Sequence, residues 1–243
     1  MIERLLICTD LDRTLIPNGP ESESAKAPLR FAALVNRREV VLAYVSGRDR
    51  GLVERAIDNF SLPQPDYVIG DVGTSIYEAG DNAKWEHLIQ WDTEIANDWN
   101  GLTHADLKAL LSDLSDLRPQ EYTKQNRFKL SFYLPLYADR HALEEVILSR
   151  FLDKAVKARL VWSMDEPAGV GLLDILPLGA SKLHAIEALM RLKAFSLENT
   201  VFCGDSGNDI EVLESPIKAV LVANAQKDVR QDAIERTARL GNV

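Results

Sequence analysis

Two aspartates separated by a single leucine, Asp10 and Asp12, follow directly on the apolar run Leu5-Leu6-Ile7-Cys8-Thr9. One acidic residue there would be an ordinary polar strand end. Two carboxylates this close repel unless a cation or a difference in protonation relieves them, and oxygen ligands of this kind suit Mg2+. Such a pair is also what covalent phosphoryl transfer needs, one carboxylate as nucleophile and one to donate and recover a proton. A second acidic cluster, Gly204-Asp205-Ser206-Gly207-Asn208-Asp209, follows the run Thr200-Val201-Phe202-Cys203. Alone it reads as a turn, because Gly, Asp and Asn are turn formers. Together the two clusters make a candidate Mg2+ site of Asp10, Asp12, Asp205 and Asp209, in which a cation would polarise phosphoryl oxygens.

Groups able to hold an anion also occur. Ser46-Gly47-Arg48 follows the run Val40–Val45, where a hydroxyl and nearby backbone N–H groups can hold phosphoryl oxygens. Lys182, in Gly179-Ala180-Ser181-Lys182, begins a candidate helix. It reads equally as a solvated surface lysine or as a positive charge beside a phosphate, aided by a helix N-terminus.

The elements that must position these residues are legible from hydrophobic patterning. Tyr67-Val68-Ile69 and Ala219-Val220-Leu221-Val222 add two more continuous apolar runs. Continuous rather than alternating runs predict strands covered on both faces, as in a parallel sheet. Amphipathic segments Ala25–Val35, Leu52–Phe60 and Ser181–Phe195 lie between them, which makes an α/β pattern. Polar residues cluster where the runs end, the edge of a parallel sheet at which ligands bind. Residues 80 to 177 read differently. Thr103–Leu117 and Asp139–Leu152 look helical, while Arg159–Met164 and Gly171–Leu176 look like short strands. Arg127–Leu134 alternates, with Phe128, Leu130, Phe132 and Leu134 on one face and Arg127, Lys129, Ser131 and Tyr133 on the other. That pattern predicts a sheet with one covered and one open face. The expected organisation is a Rossmann-like parallel-sheet core, 1–79 with 178–243, carrying an inserted α+β cap, 80–177. Gly80 and Gly179 stand at the two crossings, where hinge motion is expected.

Bulk properties bound the function. A length of 243 residues, 46% hydrophobic and 27% charged, fits a soluble globular chain with a sizeable core. A net charge of −9 argues against a nucleic-acid partner. No segment is apolar for long enough to span a membrane, and the N-terminal run is too short for a signal sequence. Cys8 and Cys203 each sit in an apolar run, so buried thiols and a reducing, cytoplasmic location are expected. His87, His104, His141 and His184 show no metal-like grouping.

Asp10-Leu11-Asp12-Arg13-Thr14-Leu15, then Ser46-Gly47-Arg48, Lys182 and Gly204–Asp209 occur in the order of the four motifs of haloacid-dehalogenase-superfamily phosphatases. The chain resembles that superfamily over its whole length, and 80–177 resembles the α/β cap of its sugar-phosphatase branch. Within the branch it is most similar to sucrose-phosphate and mannosylfructose-phosphate phosphatases, in Leu62–Thr74, Lys129-Leu130-Ser131 and Leu173-Asp174-Ile175-Leu176-Pro177. Arg13 departs from the pattern, standing where Gly or Asn is more usual. The resemblance implies that Asp10 is a nucleophile forming an aspartyl-phosphate and that Asp12 is the general acid and base. Ser46, Gly47 and Arg48 would bind phosphate, Lys182 would stabilise charge, and Asp205 and Asp209 would hold Mg2+ or its waters. Ser206 and Asn208 would support them, Asn208 on the phosphate.

The implied partner is a small sugar phosphate, with sucrose 6-phosphate first and mannosylfructose phosphate or another glycosyl-polyol phosphate next. A monomer is expected. Gly73, Thr74, Asn126, Lys129, Ser131 and Asp174 are the candidate sugar contacts. Trp85, Trp91 and Trp99 could stack on sugar rings, but their irregular spacing suits cap core better. A phosphomutase, or a sugar-phosphate-binding protein without turnover, is the alternative of another class.

Overall fold

Numbered along the chain, one group of strands is β1 (Leu5–Thr9), β2 (Val40–Val45), β3 (Tyr67–Gly70), β4 (Ser75–Ala79), β5 (Trp85–His87), β10 (Thr200–Gly204) and β11 (Lys218–Leu221). The other is β6 (Arg118–Pro119), β7 (Leu130–Leu134), β8 (Ala158–Asp165) and β9 (Val170–Pro177). Helices α1 (Ala27–Val35), α2 (Arg50–Phe60), α6 (Lys182–Lys193) and α7 (Ile210–Leu213) belong with the first group. Helices α3 (Ile89–Ala96), α4 (His104–Leu110) and α5 (Arg140–Leu152) belong with the second. The structure, a computed structural model, describes residues 4–17, 24, 26–79, 84–165, 168–205, 209–225 and 230–231. The chain divides into two units, Met1–Leu88 with Lys182–Val243, and Ile89–Ser181.

In the first unit every residue of β2 and β3 is buried, as their continuous apolar runs predict. The seven strands form one sheet in the order β11-β10-β1-β2-β3-β4-β5, parallel from β11 through β3 and antiparallel over β4 and β5. The chain moves outward from β1 through β2 and β3 on one side, and through β10 and β11 on the other. The order therefore reverses between β1 and β10, which is where open parallel sheets place ligands. Thr9 lies in register with both Cys203 and Tyr44, so Asp10, Ser46 and Asp205 emerge along one edge.

Two features depart from the sequence reading. The sheet runs past residue 80 into β5, because Tyr77, Glu78 and Ala79 of β4 pair with His87, Glu86 and Trp85. Trp85 packs in the core cluster with Leu42, Tyr44, Ile57 and Val68, so it is part of the first unit and not cap core. The second crossing falls after Ser181 rather than at 177. Gly80 lies outside the described residues, and the Gly179 N–H donates to Asp98 Oδ2 at 2.7 Å.

In the second unit β6-β7-β9-β8 form an antiparallel sheet. Leu130, Phe132 and Leu134 are buried as their alternation predicts, together with Leu173 and Ile175 from β9. Leu143, Ile147 and Phe151, spaced four apart, form the buried stripe of α5. Trp91 and Trp99 are buried, Trp99 edge-on to Phe128. The expected helix 103–117 is shorter, ending as α4 at Leu110. The Ser112 hydroxyl donates back to the Ala109 carbonyl and Arg150 takes the Leu110 carbonyl, so side chains compete with the helical ladder. The other face of β7 is not open along its length. Ser131 is fully buried, its backbone engaged by Gln120 and Gln125 and its hydroxyl donating to Asp174, with the Lys124 carbonyl 3.2 Å from its oxygen.

Tyr44 offers a check on this packing. Its ring is fully buried and its hydroxyl donates to the Pro63 carbonyl at 2.6 Å. Tyr44→Phe keeps the ring and strands that carbonyl, at about 1–2 kcal/mol. Calorimetry should show Tm lowered by roughly 2–8 °C; an unchanged Tm contradicts the bond.

Candidate functional site

Lys182 is the first residue of α6 and only 3% exposed, so it is not a solvated lysine. Its ammonium donates to Asp10 Oδ1 at 3.0 Å and to Asp209 Oδ1 at 2.6 Å. The other oxygen of Asp209 accepts the Asp205 backbone N–H at 3.2 Å. Asp209 reaches that position because residue 204 is glycine. A Cβ there would lie 2.5 Å from Asp209 Oδ2. Asp10 is anchored in turn by its N–H, donated to the Cys203 carbonyl at 2.9 Å. Asp10, Asp205 and Asp209 are all buried, and one oxygen from each lies within 4.8 Å of the others. An all-oxygen donor set of this kind fits a hard divalent cation.

Electrostatics follow from burial. Desolvation pushes the Asp10 carboxyl up to about 7, opposed by the Lys182 charge and reinforced by the charge of Asp209. Burial pulls the Lys182 ammonium down, but Asp10 and Asp209 outweigh it, and the net direction is up. Asp205 has a further cation near it, with Arg13 Nε 3.4 Å from Oδ2. Arg13 has φ 60, left-handed backbone that Gly and Asn adopt readily. That is the physical content of the departure at this position.

The sequence reading placed Asp12 with the metal ligands and Arg48 on phosphate. Here the two grip each other, Arg48 Nε 2.8 Å from Asp12 Oδ2 and Nη2 2.5 Å from Oδ1, a bidentate pair. Asp12 accordingly stands outside the three-carboxylate cluster. Ser46 is fully buried; its Oγ accepts the Arg48 N–H at 3.2 Å, which leaves the hydroxyl proton for another acceptor. Gly47 lies beside Val72, whose Cγ2 would be 3.8 Å from a Cβ placed there. Ser206 and Asn208 lie outside the described residues.

The candidate sugar contacts fall in both units. In the first, Thr74 is 1% exposed and its hydroxyl donates to the Asp71 carbonyl, while Gly73 has φ 96. Both serve the turn they sit in. In the second, Ser131 Oγ donates to Asp174 Oδ1 at 2.5 Å and Lys129 Nζ lies 3.9 Å from Asp174 Oδ2. Asn126 Oδ1 accepts the Phe128 N–H at 2.7 Å, and its backbone bridges to Lys129. Arg127 is largely exposed, as expected of a solvated position. Sequence reasoning missed the Arg48–Asp12 pair and the conformation of Asp71 and Val72. The signal for the latter was Gly70-Asp71-Val72-Gly73 at a strand end, though a β-branched residue there points away from left-handed backbone.

The family model described as sucrose-6F-phosphate phosphohydrolase matches residues 3–243. The chain belongs to that family. It is 49% identical to a putative HAD-like hydrolase of Nitrosococcus oceani, over 97% of this chain and 63% of that protein. It is 31% identical to the mannosylfructose-phosphate phosphatase of Agrobacterium fabrum, over 90% of this chain and 83% of that enzyme. The chain spans about half the length of the plant sucrose-phosphatases it also matches. Among solved structures, the Synechocystis sucrose-phosphatase in complex with sucrose and phosphate superposes with a TM-score of 0.72, at 24% identity, covering 96% of this chain and 88% of that one. The mixed α/β fold, a mostly parallel sheet with a separate antiparallel one, is that of this haloacid-dehalogenase-superfamily family. Among the described residues no helix is long and apolar enough to cross a membrane.

The raised Asp10 has a consequence for stability. The folded chain holds this proton more tightly than the unfolded chain, so without a bound cation Asp10 erodes stability as pH rises from about 4 to about 7. In chelator at pH 8, Asp10→Asn should melt roughly 5–10 °C above wild type, the gap closing toward pH 5. A variant that melts lower than wild type at pH 8 contradicts the assignment.

Proposed function

We propose that this chain is a Mg2+-dependent phosphomonoester hydrolase acting on a sugar phosphate through an aspartyl-phosphate at Asp10. The observation that carries the reading is the buried Lys182 bridge between Asp10 and Asp209, with Asp205 alongside. With Asp10 ionised, three carboxylates against the Lys182 and Arg13 charges leave one negative charge over among these groups. A divalent cation would reverse that balance and make the place attractive to a phosphate. Bound by Asp10, Asp205 and Asp209, Mg2+ would supply charge neutralisation at the phosphoryl oxygens.

The chain's own residues then divide the work. An Asp10 oxygen attacks phosphorus, forming an O–P bond as the bond to the sugar oxygen breaks, and Asp12 gives that oxygen its proton. Asp12 next takes a proton from a water that attacks the aspartyl-phosphate, which releases phosphate and restores Asp10. The Ser46 hydroxyl proton and the Lys182 ammonium hold the phosphoryl oxygens. Arg48 acts on Asp12 rather than directly on phosphate, given its bidentate pairing.

Sucrose 6-phosphate is the proposed substrate, supported by the family match and by the fold of the Synechocystis structure. The likeness to the Agrobacterium enzyme favours mannosylfructose phosphate as the second reading. Lys129 and Asp174, in one polar cluster of the Ile89–Ser181 unit that the buried Ser131 braces through its bond to Asp174, are the proposed sugar contacts.

Phosphate release from an aryl phosphate should require Mg2+ and fall by about 10³-fold or more in Asp10→Asn. Indistinguishable wild type and variant would sink the enzyme reading. Across a panel of sugar phosphates, kcat/KM should be highest for sucrose 6-phosphate. Hexose monophosphates ahead of every disaccharide phosphate would end the disaccharide assignment. Lys129→Ala should raise KM for the disaccharide phosphate about tenfold, while leaving aryl phosphate hydrolysis near wild type.

A further inference from the structure

Between β3 and β4 the backbone turns through three consecutive residues of positive φ, Asp71 (52), Val72 (61) and Gly73 (96). Glycine adopts such a conformation without strain. A β-branched valine in it is a genuine outlier, held only where surrounding structure over-determines it. Four contacts show what does so here. The Asp71 N–H donates to the Arg48 carbonyl at 2.9 Å, and the Val72 N–H donates to the Ser46 carbonyl at 3.2 Å. Val72 Cγ2 stands against Gly47, and Gly70 is so close to Arg48 that a Cβ would lie 3.1 Å from its carbonyl oxygen. The turn also meets α6, the helix that begins with Lys182.

Resting on the reading above, we infer that this left-handed turn is a positioning device. It holds the backbone of Ser46–Arg48 from one side and thereby aims the Arg48 guanidinium that grips Asp12. Val72 and Gly70 touch no reacting atom in this account; they act through Arg48. The turn bonds the backbone of residues 46 and 48 and leaves their side chains to other tasks. Unstrained alternatives for residues 71 and 72 would carry the two N–H groups away from the Ser46 and Arg48 carbonyls. The departure from ordinary backbone therefore sets where those carbonyls stand.

Two substitutions probe the device from opposite directions. Gly70 has φ −111 and ψ 177, which any residue adopts. Gly70→Ala therefore costs no backbone strain and pushes only on the Arg48 carbonyl, by a few tenths of an ångström. Val72→Gly relieves the strain and removes the contact with Gly47. Both should be assayed, beside wild type and Val72→Ile, for kcat/KM with Mg2+ on a sugar 6-phosphate and on p-nitrophenyl phosphate. The sugar alkoxide must be protonated as it leaves, whereas p-nitrophenolate leaves unaided, so the ratio of the two isolates proton delivery by Asp12.

Misplacement by about 1 Å can cost about 10²-fold, so a smaller push should lower the sugar-to-aryl ratio about tenfold in both variants. Val72→Gly should do so with Tm equal to or above wild type, and Val72→Ile should keep the wild-type ratio. Equal losses on both substrates, an unchanged ratio, or a ratio that falls only with a collapse of Tm would each overturn the inference. A wild-type chain inactive on both substrates would instead overturn the hydrolase reading itself.

Discussion

Asp10, Asp205 and Asp209 are brought within 4.8 Å of one another out of water, and that concentration of negative charge dictates much of what surrounds it. Leaving buried carboxylates without their counter-cation typically costs about 3–5 kcal/mol, because they have already lost their solvent. Lys182 must therefore be buried too, which fixes where α6 begins: its first residue has to meet the ends of β1 and the connection after β10. Glycine at 204 follows from the same demand, since the Asp209 carboxylate occupies the space a side chain would need. The parallel order of β10, β1 and β2 brings these distant segments to one edge, and register does the rest.

The strands that carry the site were legible because burial on both faces writes itself as uninterrupted apolar runs; β1 and β2 have the bounds their runs indicate. The short edge strand β5 was not, since three residues are too few to show a period, and its membership is decided by pairing with β4. The end of α4 was lost for a different reason, as Ser112 and Arg150 draw its last carbonyls away from the helix. In the site, residue types announced the carboxylates, but the state of Lys182 depends on where a helix starts in space. The partner of Asp12 depends on a guanidinium from another strand end, 36 residues away. Neither relation has a trace in local patterning.

Left-handed backbone at residues other than glycine shows how local rules give way around this edge. Among the described residues, Ser61, Asn100 and Ala194 take it where helical segments end, and such an ending satisfies terminal carbonyls. Ala155 does so just beyond α5. Arg13, Asp71 and Val72 have no such explanation, and they lie on the connections leaving β1 and β3. Each costs on the order of 1–3 kcal/mol. Departures of this size persist where something else is gained, and they gather at functional sites.

Arg13 shows what is gained. Glycine at that position would relax the turn, whose carbonyl is fixed by Asn224 Nδ2 at 2.5 Å. It would also remove the guanidinium 3.4 Å from Asp205. With Lys182 committed to Asp10 and Asp209, Arg13 is the cation within 4 Å of Asp205 that comes from the β1 connection itself. The backbone strain is thus set against electrostatic relief of the third carboxylate. In a chain whose net charge is −9, a positive charge aimed into a buried acidic cluster outweighs an ideal turn.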